Sequence, residues 1–332
     1  MTTTDMQPAE CGNPQAMPLF EHEYSFDPSY GYDIDSLKSI MPPQGPSDFD
    51  MFWQDTWAEN ESLALGLELE EMSPFRPGWK MYLVRYTTLG GVRVGAWLEI
   101  PEEGDVEVGA VCGHGYGGRE VPDFPNHHAA ILHFCAPGFH LSAHPNIPNE
   151  CYKHVLHGIE HRDTYIIRNC VSAVWSSARV IHEFLESAVP LYYFGGSLGG
   201  GLGALAMPYD DRFKKCALFV PTFGHQSMRL TLRSIGSGEP VRLYAQQLPE
   251  VEERLAYYDA GSAALRITMP NITAPALFDP SVPPPSQFAV SNPMSRHGHQ
   301  FIYRAGHHEY PALKLEEGLL GHWIDEVIWE HS

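Results

Sequence analysis

A chain of 332 residues with 43% hydrophobic and 12% aromatic residues can bury one large core, and its composition is that of an ordinary globular protein. Its formal net charge of −20, with no cluster of Lys and Arg, argues against nucleic acid and anionic membrane surfaces as partners, because contact with phosphates depends on concentrated basic side chains. Neutral or cationic small molecules remain open as ligands.

The opening stretch MTTTDMQPAECGNPQAMPLF has no basic start followed by an apolar run, so no secretory signal is expected, and no stretch approaches the apolar length of a membrane span. Cys11, Cys112, Cys135, Cys151, Cys170 and Cys216 form no CxxC pair. That scatter predicts reduced thiols and a cytoplasmic setting. Residues 1–45, rich in Pro, Gly, Asp and Ser, predict an irregular arm lying on the body or on a neighbouring subunit.

From Ser47, SDFDMFWQDTWAEN offers a cap and then Phe49, Phe52, Trp53 and Trp57 at helical spacing. MYLVRYTTLGGVRVGAWLEIP alternates Tyr82, Val84 and Tyr86, crosses Gly90 and Gly91, and resumes with Val92, Val94, Ala96 and Leu98, which predicts a β-hairpin. Thereafter short apolar runs at 108–113, 130–134, 191–194, 216–220, 275–278 and 300–304 alternate with helical patterns, so one mostly parallel sheet flanked by helices is expected. Ile167, Val171, Val174, Ala178, Ile181 and Leu185 mark a long helix with one face on that sheet, and Leu320, Trp323, Ile324, Val327 and Ile328 mark a terminal one. The strand rhythm lapses over 225–272, where a polar helical segment is a candidate cap over the carboxyl ends of the strands.

Within YYFGGSLGGGLGALAM, Gly195, Ser197 and Gly199 satisfy GxSxG, with an apolar strand before and a small-residue helix after. A nucleophile on so sharp a turn needs hydrogen as the side chain on either flank, and the helix that follows aims its free N–H groups at a developing oxyanion. A serine needs a histidine base and an acid to hold that base, arriving in the order Ser, Asp, His. YRAGHHEYP follows the run 300–304 and supplies His307 and His308, whereas His322 and His331 lie in the last helix. Asp279, in FDPSVPPPS after a short apolar run, is the candidate acid. GHGYGG, residues 113–118, follows the run 108–113 and offers Tyr116 as a backbone oxyanion donor whose ring walls the pocket. Pro221 and Phe223, at the end of the run 216–220, are further candidate pocket residues.

With these residues assembled, the chain resembles the acetyl xylan esterase and cephalosporin C deacetylase family, carbohydrate esterase family seven of the α/β-hydrolases. DFDMFWQDTWAE, HGYGGRE, GIEHRDTYIIRNCVSAV, GGSLGGGLGALA, VPPPSQFAVSN and HHEY follow its landmarks in its order, from about Pro46 to about Ile328. The resemblance implies a single α/β-hydrolase domain over 1–332, acting on a small-molecule ester without a cofactor or metal, and assembled as a homo-oligomer between dimer and hexamer. It carries the nucleophile to Ser197, the oxyanion donors to the N–H groups of Tyr116 and Leu198, and the base to His308, which precedes Glu309, with a swap of roles between His308 and its neighbour His307 left open. This chain departs from the family in having PGF at 137–139 in place of RGQ, and Leu198 in place of Gln. Asp279 also sits one residue further from the PPS tail than in the family, which keeps Glu309 and Asp259 as alternative acids.

The expected activity is therefore a serine esterase, with an acyltransferase, a lactone-opening hydrolase or a catalytically impaired binding protein as alternatives. Cys151, His154, His157 and His161, spaced CxxHxxHxxxH, would bring three histidines to one face if the segment were helical. That would make a zinc site, although the matching family stretch binds no metal.

Overall fold

The computed structural model describes residues 20–120 and 127–329. Cys11, His331 and the first part of the expected arm lie outside the described residues. The two alternating runs pair as expected: β2 (Trp79–Thr88) lies antiparallel to β3 (Val92–Pro101), with Tyr82 opposite Leu98 and Tyr86 opposite Val94. A further strand, β1 (Glu68–Met72), flanks β2, although its exposed, acidic sequence carries little strand signal.

The rest of the sheet is built from β4 (Gly109–Gly113), β5 (Ala130–Phe134), β6 (Leu191–Gly196), β7 (Phe213–Phe219), β8 (Asn271–Ala274) and β9 (Gly298–Gln300). Among the described residues its nine strands run in the order β1-β2-β3-β5-β4-β6-β7-β8-β9, and every pair from β5 to β9 is parallel. β4 and β5 are buried along their whole length, as strands covered on both faces must be.

The arm leads through α1 (Ile34–Lys38) into α2 (Phe49–Ser62), whose aromatic stripe is core. Trp53 is buried edge-on against Trp175 and Tyr258, and its indole N–H donates to the Tyr257 carbonyl at 2.8 Å. After the short α3 (Cys151–His154), the long α4 (Ile166–Leu185) buries Ile167, Val171, Val174, Ala178 and Ile181. α5 (Leu198–Ala206) follows β6 and is buried throughout. Between β7 and β8 lie α6 (Gln226–Arg229), α7 (Gly238–Gln247), α8 (Val251–Leu255) and α9 (Ala260–Ala264). α10 (Pro284–Met294) connects β8 to β9, and α11 (Leu313–Ile324) widens into a π-turn over Asp325–Trp329. Among the described residues no helix is long and apolar enough to cross a membrane.

Two strands end earlier than the sequence predicts. The ladder of β8 stops at Ala274 because Pro275 has no N–H to donate, and only an isolated bridge, Ala276 with Tyr303, carries the pairing further. β9 likewise covers 298–300 instead of 300–304. This end of the sheet thus frays into two adjacent loops, 275–283 and 301–312, and these loops carry the candidate acid and base.

Trp53 joins α2, α4 and the helices between β7 and β8 through one buried side chain. Trp53→Ala should lower stability by about 3–5 kcal/mol in denaturant unfolding; a change near zero would show that this junction does not hold the layers together.

Candidate active site

Ser197 occupies the turn between β6 and α5 with φ 53° and ψ −111°, a backbone conformation that non-glycine residues rarely adopt. The turn is held at several points. The Ser197 N–H donates to the Phe219 carbonyl at 2.8 Å, and its own carbonyl accepts from Gly201 N and Thr222 N, both at 3.1 Å. The flanking glycines answer a close approach of backbones: a Cβ on Gly195 would lie 2.5 Å from the carbonyl carbon of Gly199, and one on Gly199 would lie 2.9 Å from that of Gly113.

His307 Nε2 lies 3.1 Å from Ser197 Oγ, and His307 Nδ1 lies 2.8 Å from Asp279 Oδ2. The histidine between serine and acid is therefore His307 and not His308. The reason lies in the backbone, since His307 takes a left-handed conformation with φ 48° that turns its ring toward Asp279, so the next side chain faces elsewhere. His308 stacks edge-on against Phe20, contacts the Phe278 ring, and shares a 3.2 Å hydrogen bond through Nδ1 with the Tyr24 hydroxyl.

Asp279 is fully buried. Its Oδ1 accepts from the N–H groups of Ser281 at 2.8 Å and Val282 at 2.9 Å, and its Oδ2 from Gln287 Nε2 at 2.8 Å. Gln287 is itself fixed, because its Oε1 accepts from Ala276 N and its Nε2 also donates to the Val282 carbonyl. Facing an acceptor, His307 Nδ1 carries the proton, which leaves the Nε2 lone pair toward Ser197. Burial pulls the His307 pKa down, but the charge and hydrogen bond of Asp279 outweigh it, so the net shift is upward. The alternative acids are placed elsewhere: Asp259 caps α9 and accepts from Gln226 N, and Glu309 is exposed.

The loop after β4 lies over the serine, and a Cβ on Gly115 would meet Ser197 Cβ at 3.6 Å. Among the described residues neither the Tyr116 nor the Leu198 N–H has a backbone acceptor, as an oxyanion donor requires. His114 pins the loop: its Nδ1 donates to the Gly115 carbonyl at 2.6 Å while its Nε2 accepts from Ala136 N at 2.8 Å. The Tyr116 ring packs edge-on against Phe139 and His154, and burial pushes its phenol well above the ordinary range. Pro221 and Phe223 are buried against Gly200 and Gly201 of α5, directly behind the serine turn.

Arg119 is buried and donates to the Cys112 carbonyl at 3.0 Å and the Gly113 carbonyl at 3.3 Å, at the strand end from which the Tyr116 loop springs. The CxxHxxHxxxH segment does not form one helical face, because α3 ends at His154. There His154 Nε2 donates to the Pro137 carbonyl at 2.9 Å, and burial lowers its pKa to about 4. Among the described residues no three His, Cys, Asp or Glu side chains converge as a metal site. A cavity of about 550 Å3 beside His307 is lined by Phe219, Val220, Tyr303, Leu313, Leu320 and Ile324, and does not include Ser197.

The sheet order and the serine turn between β6 and α5 define an α/β-hydrolase fold. More narrowly, the chain belongs to the acetyl xylan esterase (AXE1) family, whose model matches residues 32–323. It is 22% identical over 297 residues to the acetyl esterase Axe7A of Xylanibacter ruminicola, an alignment covering 81% of this chain and 64% of that protein. The chain thus spans less than two thirds of that relative's length. Two solved structures share the fold at 20% identity. An acetyl xylan esterase from Paenibacillus sp. superposes with a TM-score of 0.77 over 89% of this chain and 100% of the other. Acetyl xylan esterase 1 from Thermoanaerobacterium sp. does so with a TM-score of 0.73 over 90% and 99%.

The opposing influences on His307 can be separated by titration. Followed by NMR, the His307 pKa should lie above the ordinary histidine value of about 6.5 in the native chain and should fall in Asp279→Asn, where the neighbouring charge is gone. An unchanged pKa in the variant would show that Asp279 does not govern this ring.

Proposed function

We propose that this chain is a serine carboxylic-ester hydrolase that deacetylates a small acetylated molecule, a sugar or a natural-product ester. One observation carries the reading: Ser197 Oγ, His307 and Asp279 form a continuous hydrogen-bonded chain of 3.1 and 2.8 Å. The family membership and the relatives' printed names support an acetyl group as the acyl portion.

In this mechanism His307 Nε2 takes the Ser197 hydroxyl proton as Oγ bonds to the ester carbonyl carbon, while Asp279 stabilises the imidazolium and holds the ring. The carbonyl oxygen becomes an oxyanion facing the N–H groups of Tyr116 and Leu198. Collapse breaks the carbon–oxygen bond to the alcohol, and His307 returns the proton to that departing oxygen. A water molecule then gives a proton to His307 and attacks the acyl-enzyme. The second collapse releases acetic acid and restores the Ser197 hydroxyl, so atoms and protons balance over the cycle.

Since only neutral His307 can accept the proton, activity falls as pH drops through its raised pKa, and the acid limb of kcat/KM should sit above the ordinary histidine range. An acid limb below that range would contradict the assignment. A fluorophosphonate probe should label the protein once, at Ser197, and Ser197→Ala should abolish both labelling and hydrolysis of nitrophenyl acetate. His307→Ala should lower turnover by roughly three to four orders of magnitude. Full labelling of the Ser197→Ala protein would refute the nucleophile.

A further inference from the structure

The acid and the base come from separate loops, 28 residues apart in sequence, and the strands that lead into them end early. Among the described residues three backbone bonds join these loops, from Leu277 N to the Tyr303 carbonyl at 3.0 Å, from Tyr303 N to the Pro275 carbonyl at 2.9 Å and from Gly306 N to the Phe278 carbonyl at 2.8 Å. A third segment, residues 20–30 of the arm, lies across both loops. On the acid loop, the backbone N–H of Asp279 itself donates to the Pro28 carbonyl at 3.1 Å. On the base loop, the Tyr24 hydroxyl shares its 3.2 Å bond with His308 Nδ1. Between them Phe20 packs on Phe278 (ring centroids 4.9 Å apart), on His308 (5.3 Å) and on Tyr310 (5.6 Å). The far end of the segment is anchored to the 225–272 insertion, where the Tyr30 hydroxyl donates to the Arg233 carbonyl at 2.6 Å.

We propose that residues 20–30 are a clamp that positions the catalytic acid and base. Tyr24, Phe20 and His308 act as positioning residues through their neighbours Asp279 and His307. The physical need is specific. His307 sits at φ 48°, a left-handed conformation that a histidine keeps only where its surroundings fix it, and the residue directly after it is held in the ring cluster of Phe20, Tyr24 and Phe278. Releasing His308 lets the His307 backbone relax toward ordinary values and swing its ring off Asp279. Releasing Pro28 frees the backbone of Asp279, although the carboxylate keeps its bonds from Ser281, Val282 and Gln287. The clamp therefore acts chiefly on the base, and its loss should register as misalignment of the triad with no change in substrate binding. The proposal rests on the esterase reading above.

The test compares the full chain with Tyr24→Phe, which removes one hydroxyl, with His308→Gln, and with Phe20→Ala/Tyr24→Ala, which empties the ring cluster. In the double variant kcat for nitrophenyl acetate and the rate of Ser197 phosphonylation should fall together by about ten- to hundredfold with KM within about twofold, since small misplacements carry losses of that order. The acid limb of kcat/KM should move to lower pH, because a ring drawn off Asp279 loses the charge that raises its pKa. Tyr24→Phe and His308→Gln should show the same pattern at smaller size, and both keep the arm aromatics should the double variant fail to fold. Native kcat and an unmoved acid limb in the folded variants would overturn the clamp, as would a loss that only tracks the unfolded fraction. If the native chain is not phosphonylated at Ser197, the esterase reading itself fails; if it is labelled and the variants match it, the clamp alone fails.

Discussion

The site depends on one buried carboxylate. Asp279 is shut away from water, where an unpaired charge would be several kcal/mol unfavourable, and only a full set of donors makes the position tenable. Two N–H groups of its own turn, the amide of Gln287 and the ring of His307 supply that set. This requirement fixes the tautomer of His307, and the tautomer determines which lone pair meets Ser197. Much of the surrounding construction serves the same carboxylate: the PPPSQ run starts a helix that delivers Gln287, and the early end of β8 places Asp279 in a turn able to wrap around its own oxygens.

The strained serine follows the same logic. A left-handed Ser197 persists because Phe219, Gly201 and Thr222 hold its backbone, and because glycines on either side let β4, β6 and α5 approach within touching distance. Arg119 and His114 then fix the loop after β4, whose Gly115 lies against Ser197. Strain in the serine and in His307 is thus balanced by packing from four directions: the sheet, the glycine helix, the Tyr116 loop and the arm.

The legible and illegible parts of the sequence divide along physical lines. Hydrophobic periodicity marks α2, α4 and the β2–β3 hairpin, although β3 and the middle of α4 are buried beyond the single face their patterns imply, and GxSxG between a strand and a small-residue helix marks Ser197. Asp279 is legible from its place after an apolar run. The choice between His307 and His308 is not, because a single left-handed residue decides which of two adjacent rings turns inward, and no periodicity encodes it. Counting from a family pattern that has the histidine directly before glutamate selects His308. Gln287 and Arg119 lie within six to eight residues of the groups they bond, and only the fold shows that their side chains turn back onto Asp279 and onto the Cys112 and Gly113 carbonyls. β1 is not legible either, because an exposed edge strand need not be apolar.

The central claim is that Ser197 Oγ becomes the acyl carrier when His307, held by Asp279, draws off its proton. The most direct measurement is rapid-quench peptide mass spectrometry during turnover of an activated acetyl ester by the native chain and by His307→Ala. The account predicts an acetyl group on the peptide containing Ser197 within the first turnover of the native chain, and its loss or extreme slowing in the variant. Acetylation at any other residue, or equally fast acetylation of Ser197 without His307, would contradict it.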